Sequence, residues 1–267
     1  MKKITLCADD YGQNKSISQA ILALLEKNRL SATSCMTSSP AWSLYAEWLR
    51  PFSGQSGLGL HFNLTEGQAL SHGFRFLSLP QLILKAYGRL LDEPAIEAEL
   101  DAQLDAFLLN LGKLPDFIDG HQHVHQLPMI RDIVCRVYEK RLRGTGCYIR
   151  STASSLRLGS PKALIIQALG ARAFKNLLGQ HKIPFNSSFA GIYPFAASAH
   201  YSRIFPRFLA QIQEGGIIMC HPGLQSSDKT DAIAASRYNE FLYLESEQFV
   251  RDCFLAGVLI STQKTNL

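Results

Sequence analysis

Short apolar runs alternate with longer amphipathic segments along this chain, and this alternation limits its fold more than any other feature. Eight runs of three to six residues have the length and composition of buried strands. Strands that are separated by helices pair in parallel, because a parallel pair needs a long crossover connection. The predicted strands span residues 4–8, 32–37, 57–61, 117–119, 147–150, 188–191, 217–220 and 258–261.

Four segments between these strands have helical periodicity. In segment 17–28 the apolar residues recur at positions 17, 20, 21, 24 and 25, which places them on one helix face. Segment 94–111 begins with a proline and is followed by Gly112, which is the usual asymmetry of helix ends. Segments 129–142 and 246–256 are the other two predicted helices.

The pattern predicts an α/β protein, either an open doubly wound sheet or a closed barrel. Seven or eight strand–helix units over 267 residues favour a TIM-like (β/α) barrel, with some irregularity. The glycine-rich GxGxxG and GxxxxGK[ST] motifs of nucleotide-binding sheets follow none of the strands. We expect a single domain over residues 1–267, with loops and short helices inserted at 151–187.

Charge and cysteine content exclude several classes of function. The net charge of +5 is spread along the chain, and its densest basic run, 140–143, ends a predicted helix, so we expect no nucleic-acid partner. The six cysteines form no CxxC pair, which is typical of reduced thiols. No signal peptide and no membrane-spanning run is apparent. We therefore expect a cytoplasmic protein without a membrane partner, and a homodimer is compatible with its helical faces.

Polar residues follow several predicted strands, where the active site of a parallel barrel lies. Asp9 and Asp10 are adjacent carboxylates, so one of them could bind a metal while the other acts as a base. The histidines at 121, 123 and 125 share one face if the segment is extended, whereas a helix would pair only the first and the third. The other polar positions after strands are His61 with Asn63, Arg150, and His221, a candidate general acid.

Four motifs give this arrangement a family resemblance. They are ADDYG at 8–12, GLHFNLTEG at 59–67, DGHQHVH at 119–125 and CHPG at 220–223. In this order and spacing they resemble the motifs of the YdjC-like carbohydrate deacetylases, the family of the bacterial chitooligosaccharide deacetylase. The resemblance implies a TIM-like barrel that binds one divalent metal ion, zinc or magnesium.

The resemblance also assigns roles to single residues. The implied metal ligands are Asp10, His61 and His125, and a set of one carboxylate and two imidazoles favours zinc or another transition metal. Asp9 would be the general base and His221 the general acid. Residues expected to bind substrate or to support the metal ligands are Asn63, Asp119, His121, His123 and Arg150.

The expected activity is metal-dependent hydrolysis of the acetamide of an N-acetylated sugar or oligosaccharide, by attack of a metal-bound water. Trp42, Tyr193 and Phe195 are candidates for stacking on sugar rings, although core packing is the commoner role of such residues. One alternative is another metal-dependent amidohydrolase or phosphoesterase on the same barrel. Amidohydrolases place a histidine pair after the first strand, however, where this chain has Asp9 and Asp10. A second alternative is a sugar-binding protein without turnover, although the implied base and metal ligands are all present.

Overall fold

The strands form one curled sheet in which every pairing is parallel. The structure is a computed structural model that describes residues 1–153, 167–226, 228 and 230–261. Within them the strands are β1 Lys2–Tyr11, β2 Ala32–Cys35, β3 Gly57–Phe62, β4 Phe117–Gly120, β5 Tyr148–Ile149, β6 Phe189–Ala190, β7 Ile217–Cys220 and β8 Val258–Ile260.

β1 lies in the middle of the sheet, with β2 to β5 in sequence order on one side and β7 and β6 on the other. Strands pair in the order β5-β4-β3-β2-β1-β7-β6, and β8 pairs with the start of β1. Between β5 and β6 a parallel bridge joins Ile149 to Phe185. The Asn186 side chain adds a second connection, because it accepts from Ser151 N at 2.7 Å and donates to Ser151 O at 2.9 Å. The result is an irregular TIM-like barrel, as the strand pattern predicted.

Helices cover the outside of this barrel. In the described residues they are α1 Lys15–Glu26, α2 Trp42–Leu49, α3 Leu79–Tyr87, α4 Glu93–Leu111, α5 Ile130–Arg141, α6 Arg172–Gln180, α7 Tyr201–Gln211, α8 Ala234–Glu245 and α9 Glu247–Leu255. Local sequence sets several of their ends. Asn14 accepts a hydrogen bond from Ile17 N at the start of α1, and Asp92 does the same for Ala95 N in α4. Gly112 ends α4 in the left-handed region, at φ 72°.

Two apolar layers follow from the alternation of side chains along the strands. Leu6 and Ala8 of β1 pack in the large cluster that includes the apolar helix faces, whereas Cys7 belongs to a smaller cluster with Phe117 and Met219. Gly59 is required beside Phe117, because a Cβ at position 59 would lie 2.3 Å from the Phe117 ring. The smaller cluster therefore fills the barrel beneath the carboxyl ends of the strands.

The eight predicted strands and four predicted helices are all present, with ends shifted by a few residues. Among the described residues, four further helices were not predicted: α2, α3, α7 and α8. The predicted insertion at 151–187 includes a π-helical turn at Gln167–Ala171 followed by α6, and its residues 154–166 lie outside the described part. Among the described helices, none combines the length and hydropathy that crossing a bilayer requires.

Candidate active site

A cavity of about 780 Å³ opens where the carboxyl ends of the strands meet. One wall is polar and comes from the ends of β1, β3, β4 and β7, while α3 and the segments around residues 169, 192 and 195 supply apolar side chains. This combination of an apolar wall with a few convergent polar groups is typical of a small-molecule site. The polar residues of the wall include Asp9, Asp10, His61, His121, His123 and His221.

A distortion of β1 brings two consecutive carboxylates to this cavity. Successive side chains of a regular strand point to opposite faces, so Asp9 and Asp10 would diverge. The pairing of β1 with β2 is irregular between Ala8 and Tyr11, and Asp10 has φ 68°, in the left-handed region. Both carboxylates therefore line the cavity. Backbone strain of this kind is concentrated at functional sites.

Asp10, His61 and His121 form a buried cluster that suits a metal ion. Asp10 Oδ1 lies 3.2 Å from His61 Nε2 and 2.9 Å from His121 Nδ1. One possible ligand atom from each residue lies within 4.8 Å of those of the other two. One carboxylate and two imidazoles with an open fourth position are a common ligand set for catalytic zinc. The donor set therefore fits a divalent ion.

Charges around this cluster keep Asp10 ionised. Burial would raise its pKa, but Arg237 and His121 hold that pKa well below the usual range. Arg237 Nη2 donates to Asp10 Oδ2 at 2.7 Å, which leaves Oδ1 facing the histidines. For His61, burial would lower the pKa, and the carboxylates of Asp119 and Asp10 raise it to about 10. A divalent ion would displace that proton, because a ligating histidine is neutral.

Arg150 binds the carboxylate of Asp9. Its guanidinium donates to Asp9 Oδ2 through Nη1 and to Asp9 Oδ1 through Nη2, both at 2.7 Å, and Nη2 lies 2.6 Å from Asp119 Oδ2. Asp119 in turn contacts His61 Nδ1 at 2.6 Å. Burial would raise the pKa of Asp119, but Arg150 and His61 bring it below its usual range. Arg150 and Asp119 therefore support Asp9 and His61 from behind.

The histidine-rich segment is neither extended nor α-helical. Residues 121–126 form a 3₁₀ turn in which Gln122 and His123 have left-handed backbone angles. This turn directs His121 to Asp10, whereas His125 Nε2 lies 3.0 Å from Arg150 O and its ring packs edge-on against Phe174. His125 belongs to none of the possible metal-binding groups found among the described residues. The geometry therefore favours His121 for the ligand position that the family resemblance assigned to His125.

Two other predicted site residues occupy different surroundings. His123 lines the cavity, with its ring edge-on to Phe189, and burial lowers its pKa. Asn63 is fully buried, and its side chain bonds to the backbone N and O of Glu66 at 3.1 and 2.7 Å. Asn63 therefore shapes the loop after β3.

The three aromatic residues proposed to stack on sugar rings lie in different places. Trp42 stacks on Phe107 and donates to a backbone oxygen of α4, so it is a core residue. Tyr193 is buried, and Phe195 lines the cavity with its ring edge-on to His221, the centroids 5.0 Å apart. Of the three, Phe195 is the one positioned to contact a ligand.

His221 follows β7 on the wall of the cavity. Burial lowers its pKa to about 4, so its ring is neutral at pH 7, and Nδ1 has no hydrogen-bond partner among the described residues. Its backbone N donates to Glu240 Oε2 at 2.6 Å, and Tyr193 donates to Glu240 Oε1 at 2.6 Å. Burial raises the pKa of Glu240 to about 7.

Sequence reasoning missed three of the charged residues at this site. Arg237 and Glu240 lie three residues apart on α8, a spacing that reads as an ordinary surface pair on a solvated helix. Glu66 lies in the GLHFNLTEG motif but had no assigned role. Its Oε1 lies 3.0 Å from His121 Nε2. Long-range contacts alone bring these residues to Asp10, His221 and His121.

The motifs agree with comparisons to known proteins. A model of the family described as YdjC-like protein matches residues 3–253. The chain belongs to the YdjC-like protein family. The four motifs therefore identified the family correctly, and the matched region includes every residue of the site described above.

Relatives of this YdjC-like protein carry deacetylase names. A human protein named carbohydrate deacetylase is 26% identical over 257 residues, with 85% of this chain and 77% of the relative covered. A carbohydrate deacetylase of Clostridium beijerinckii is 23% identical, with 93% and 94% covered. A chitooligosaccharide deacetylase of an Enterobacter species is 33% identical over 141 residues, with 51% and 55% covered.

A solved structure supports the fold. The crystal structure of a candidate cellobiose-phosphate cleavage protein from Enterococcus faecalis superposes with a TM-score of 0.75 at 18% identity. The match covers 98% of this chain and 97% of that one. At this identity the likeness supports the barrel architecture and nothing finer.

Proposed function

We propose that this YdjC-like protein is a metal-dependent carbohydrate deacetylase that hydrolyses the acetamide of an N-acetylated sugar. The observation that carries the proposal is the cluster of Asp10, His61 and His121 beside an arginine-held Asp9 at the floor of one cavity. The names of its relatives indicate the substrate class.

In this proposal Asp10, His61 and His121 hold the divalent ion. When bound there, the ion supplies a Lewis acid for the substrate carbonyl and the attacking water. Asp10 Oδ1 lies 3.2 Å from His61 Nε2 and 2.9 Å from His121 Nδ1, and for this reason the proposal assigns to His121 the ligand position that the family resemblance gave to His125.

Asp9 is the proposed general base. Both of its oxygens accept from Arg150, and this fork orients the carboxylate. Asp9 takes a proton from the water that attacks the acetyl carbon. His221, on the same cavity wall, passes a proton to the sugar nitrogen as the C–N bond breaks. The products are acetate and the free amino sugar.

The low pKa of His221 constrains this scheme. Because its ring is neutral at pH 7, the proton that it delivers must reach it during turnover, and water deprotonation at Asp9 is the available source. In this scheme the sugar ring packs against the apolar residues of the cavity around Phe195.

Acetate release from N-acetylated oligosaccharides, measured with and without zinc or magnesium after chelation, tests the proposal. We expect chelation to abolish release and one of the two ions to restore it. Full activity in the chelated protein would refute the metal dependence, whereas binding of the oligosaccharide without acetate release under any condition would indicate a sugar-binding protein.

A further inference from the structure

Five side chains around the metal-binding cluster form a closed ring of polar contacts. Arg237 Nη2 donates to Asp10 Oδ2 at 2.7 Å and to Gln13 Oε1 at 3.1 Å. Gln13 Nε2 donates in turn to Glu66 Oε2 at 2.6 Å. Glu66 Oε1 lies 3.0 Å from His121 Nε2, and His121 Nδ1 lies 2.9 Å from Asp10 Oδ1. Each nitrogen of the His121 ring therefore faces a different carboxylate.

The two histidines of the cluster face Asp10 with opposite ring nitrogens. His61 presents Nε2 to Asp10 and has Asp119 at Nδ1, 2.6 Å away. His121 presents Nδ1 and has Glu66 at Nε2. A carboxylate behind a ligating histidine fixes its tautomer and raises its basicity. Glu66 thus has the same relation to His121 that Asp119 has to His61.

The loop after β3 is built to place Glu66. Asn63 accepts from Glu66 N and donates to Glu66 O, so its side chain folds the turn that carries Glu66. Asn63 is fixed by the buried Gln103, which accepts from Asn63 N at 3.0 Å and donates to Asn63 O at 2.8 Å. Glu99 accepts from Gln103 at 2.7 Å. This buried network gives Glu66 a defined position although its side chain is partly exposed.

We propose that Glu66 is a positioning residue of the metal centre, which holds the proton on His121 Nε2 so that His121 ligates through Nδ1. The inference rests on the metal centre of the proposed function. His121 Nε2 is buried and has no aligned hydrogen-bond partner among the described residues, and Glu66 lies within 3.0 Å of it.

Zinc affinity of the full chain, measured by competition with a chelating dye, tests this role without any substrate. We expect Glu66→Gln, which removes the charge and keeps the shape, to weaken zinc binding 10- to 100-fold, the usual effect of losing such a partner. Glu66→Ala should weaken it at least as much. The matched control is Glu26→Gln, an exposed residue at the far end of the 12-residue α1, about 18 Å along the helix. This control should bind zinc as the wild type does.

A second measurement keeps the test independent of variant folding. Long-range ¹H–¹⁵N spectra of the zinc-loaded wild type should show zinc on Nδ1 of His121 and on Nε2 of His61. Zinc on Nε2 of His121, or wild-type affinity in a folded Glu66→Gln protein, would overturn the role of Glu66 and leave the metal centre standing. A wild type that binds no zinc, magnesium or manganese would instead refute the metal centre itself, and the role of Glu66 with it.

Discussion

Replacing Arg150 by methionine should destabilise the protein strongly while leaving its shape nearly unchanged. Arg150 is 1% exposed and makes three contacts of 2.6–2.7 Å with the buried carboxylates of Asp9 and Asp119. Methionine fills much of the space of the arginine stem but removes the cation that the two carboxylates share, which leaves Asp9 without its guanidinium and Asp119 with His61 alone. Breaking a buried ion pair by removing one partner costs about 3–5 kcal/mol. Since whole domains are stable by about 5–15 kcal/mol, this loss is a large share of the total.

The pH dependence of this loss identifies its cause. In the wild type, Arg150 helps to depress the pKa of Asp119, so the pair stabilises the fold above the unfolded-state pKa of this aspartate and loses that effect as the pH falls. Without Arg150, burial favours the protonated carboxyl, which relieves the unpaired charge in acid. We therefore expect the difference between wild type and variant to be smaller at pH 4 than at pH 7.

Urea unfolding at the two pH values measures both effects. The control is Arg143→Met, the same substitution in an exposed pair with Glu139, which should change stability little. Adding Asp9→Asn to the Arg150 variant removes one of the stranded charges and should recover part of the loss. An Arg150→Met protein within about 1 kcal/mol of wild type, or a loss that does not shrink in acid, would refute the reasoning.

Three further predictions concern the proposed roles of single residues. Asp9→Asn should keep its zinc and lose about 10²- to 10⁴-fold in acetate release, the range for a general base; unchanged turnover would exclude that role. His121→Ala should lose zinc affinity by more than 100-fold, whereas His125→Ala should lose stability but bind zinc nearly as the wild type does, and dye competition giving the reverse order would restore His125 as the ligand. Burial raises the pKa of Glu240 from 4.5 to about 7, so ionising it costs the fold about 3 kcal/mol as the pH rises through that range. Glu240→Gln should therefore gain stability relative to wild type between pH 5 and pH 8, and urea unfolding curves whose difference is the same at both values would contradict the assignment.

Local patterns in the sequence predicted most of the strands and helices of the fold. Buried strands such as β7 are continuous apolar runs, and the ends of α4 are marked by Asp92, a proline and Gly112. Some of the helices that were missed have weak or interrupted signals, whereas α3 has a capping box of Ser78 and Gln81 that sequence reasoning overlooked. Helix α7, for example, contains Pro206, and α8 begins without a capping side chain.

The candidate site also includes residues that the sequence predicted and residues that it did not. The sequence predicted that Asp9, Asp10, His61 and His221 lie close together, because each ends or closely follows a predicted strand and parallel strands bring those ends together, and all four line the cavity. The pattern of the histidine-rich segment left the third ligand open, because extended and helical backbones give different pairs, and the family resemblance then assigned it to His125. The observed left-handed turn at Gln122 and His123 is neither.

The sequence by itself therefore determined the family, the barrel and the chemical types at its carboxyl edge, since these follow from local periodicity and from short motifs. The tertiary structure alone decided which histidine faces Asp10, and it alone brought Arg237, Glu240 and Glu66 to the site. Contacts such as Arg237 to Asp10 join residues more than 200 positions apart. Their geometry depends on how a helix docks on the barrel, and no local pattern in the chain encodes that docking.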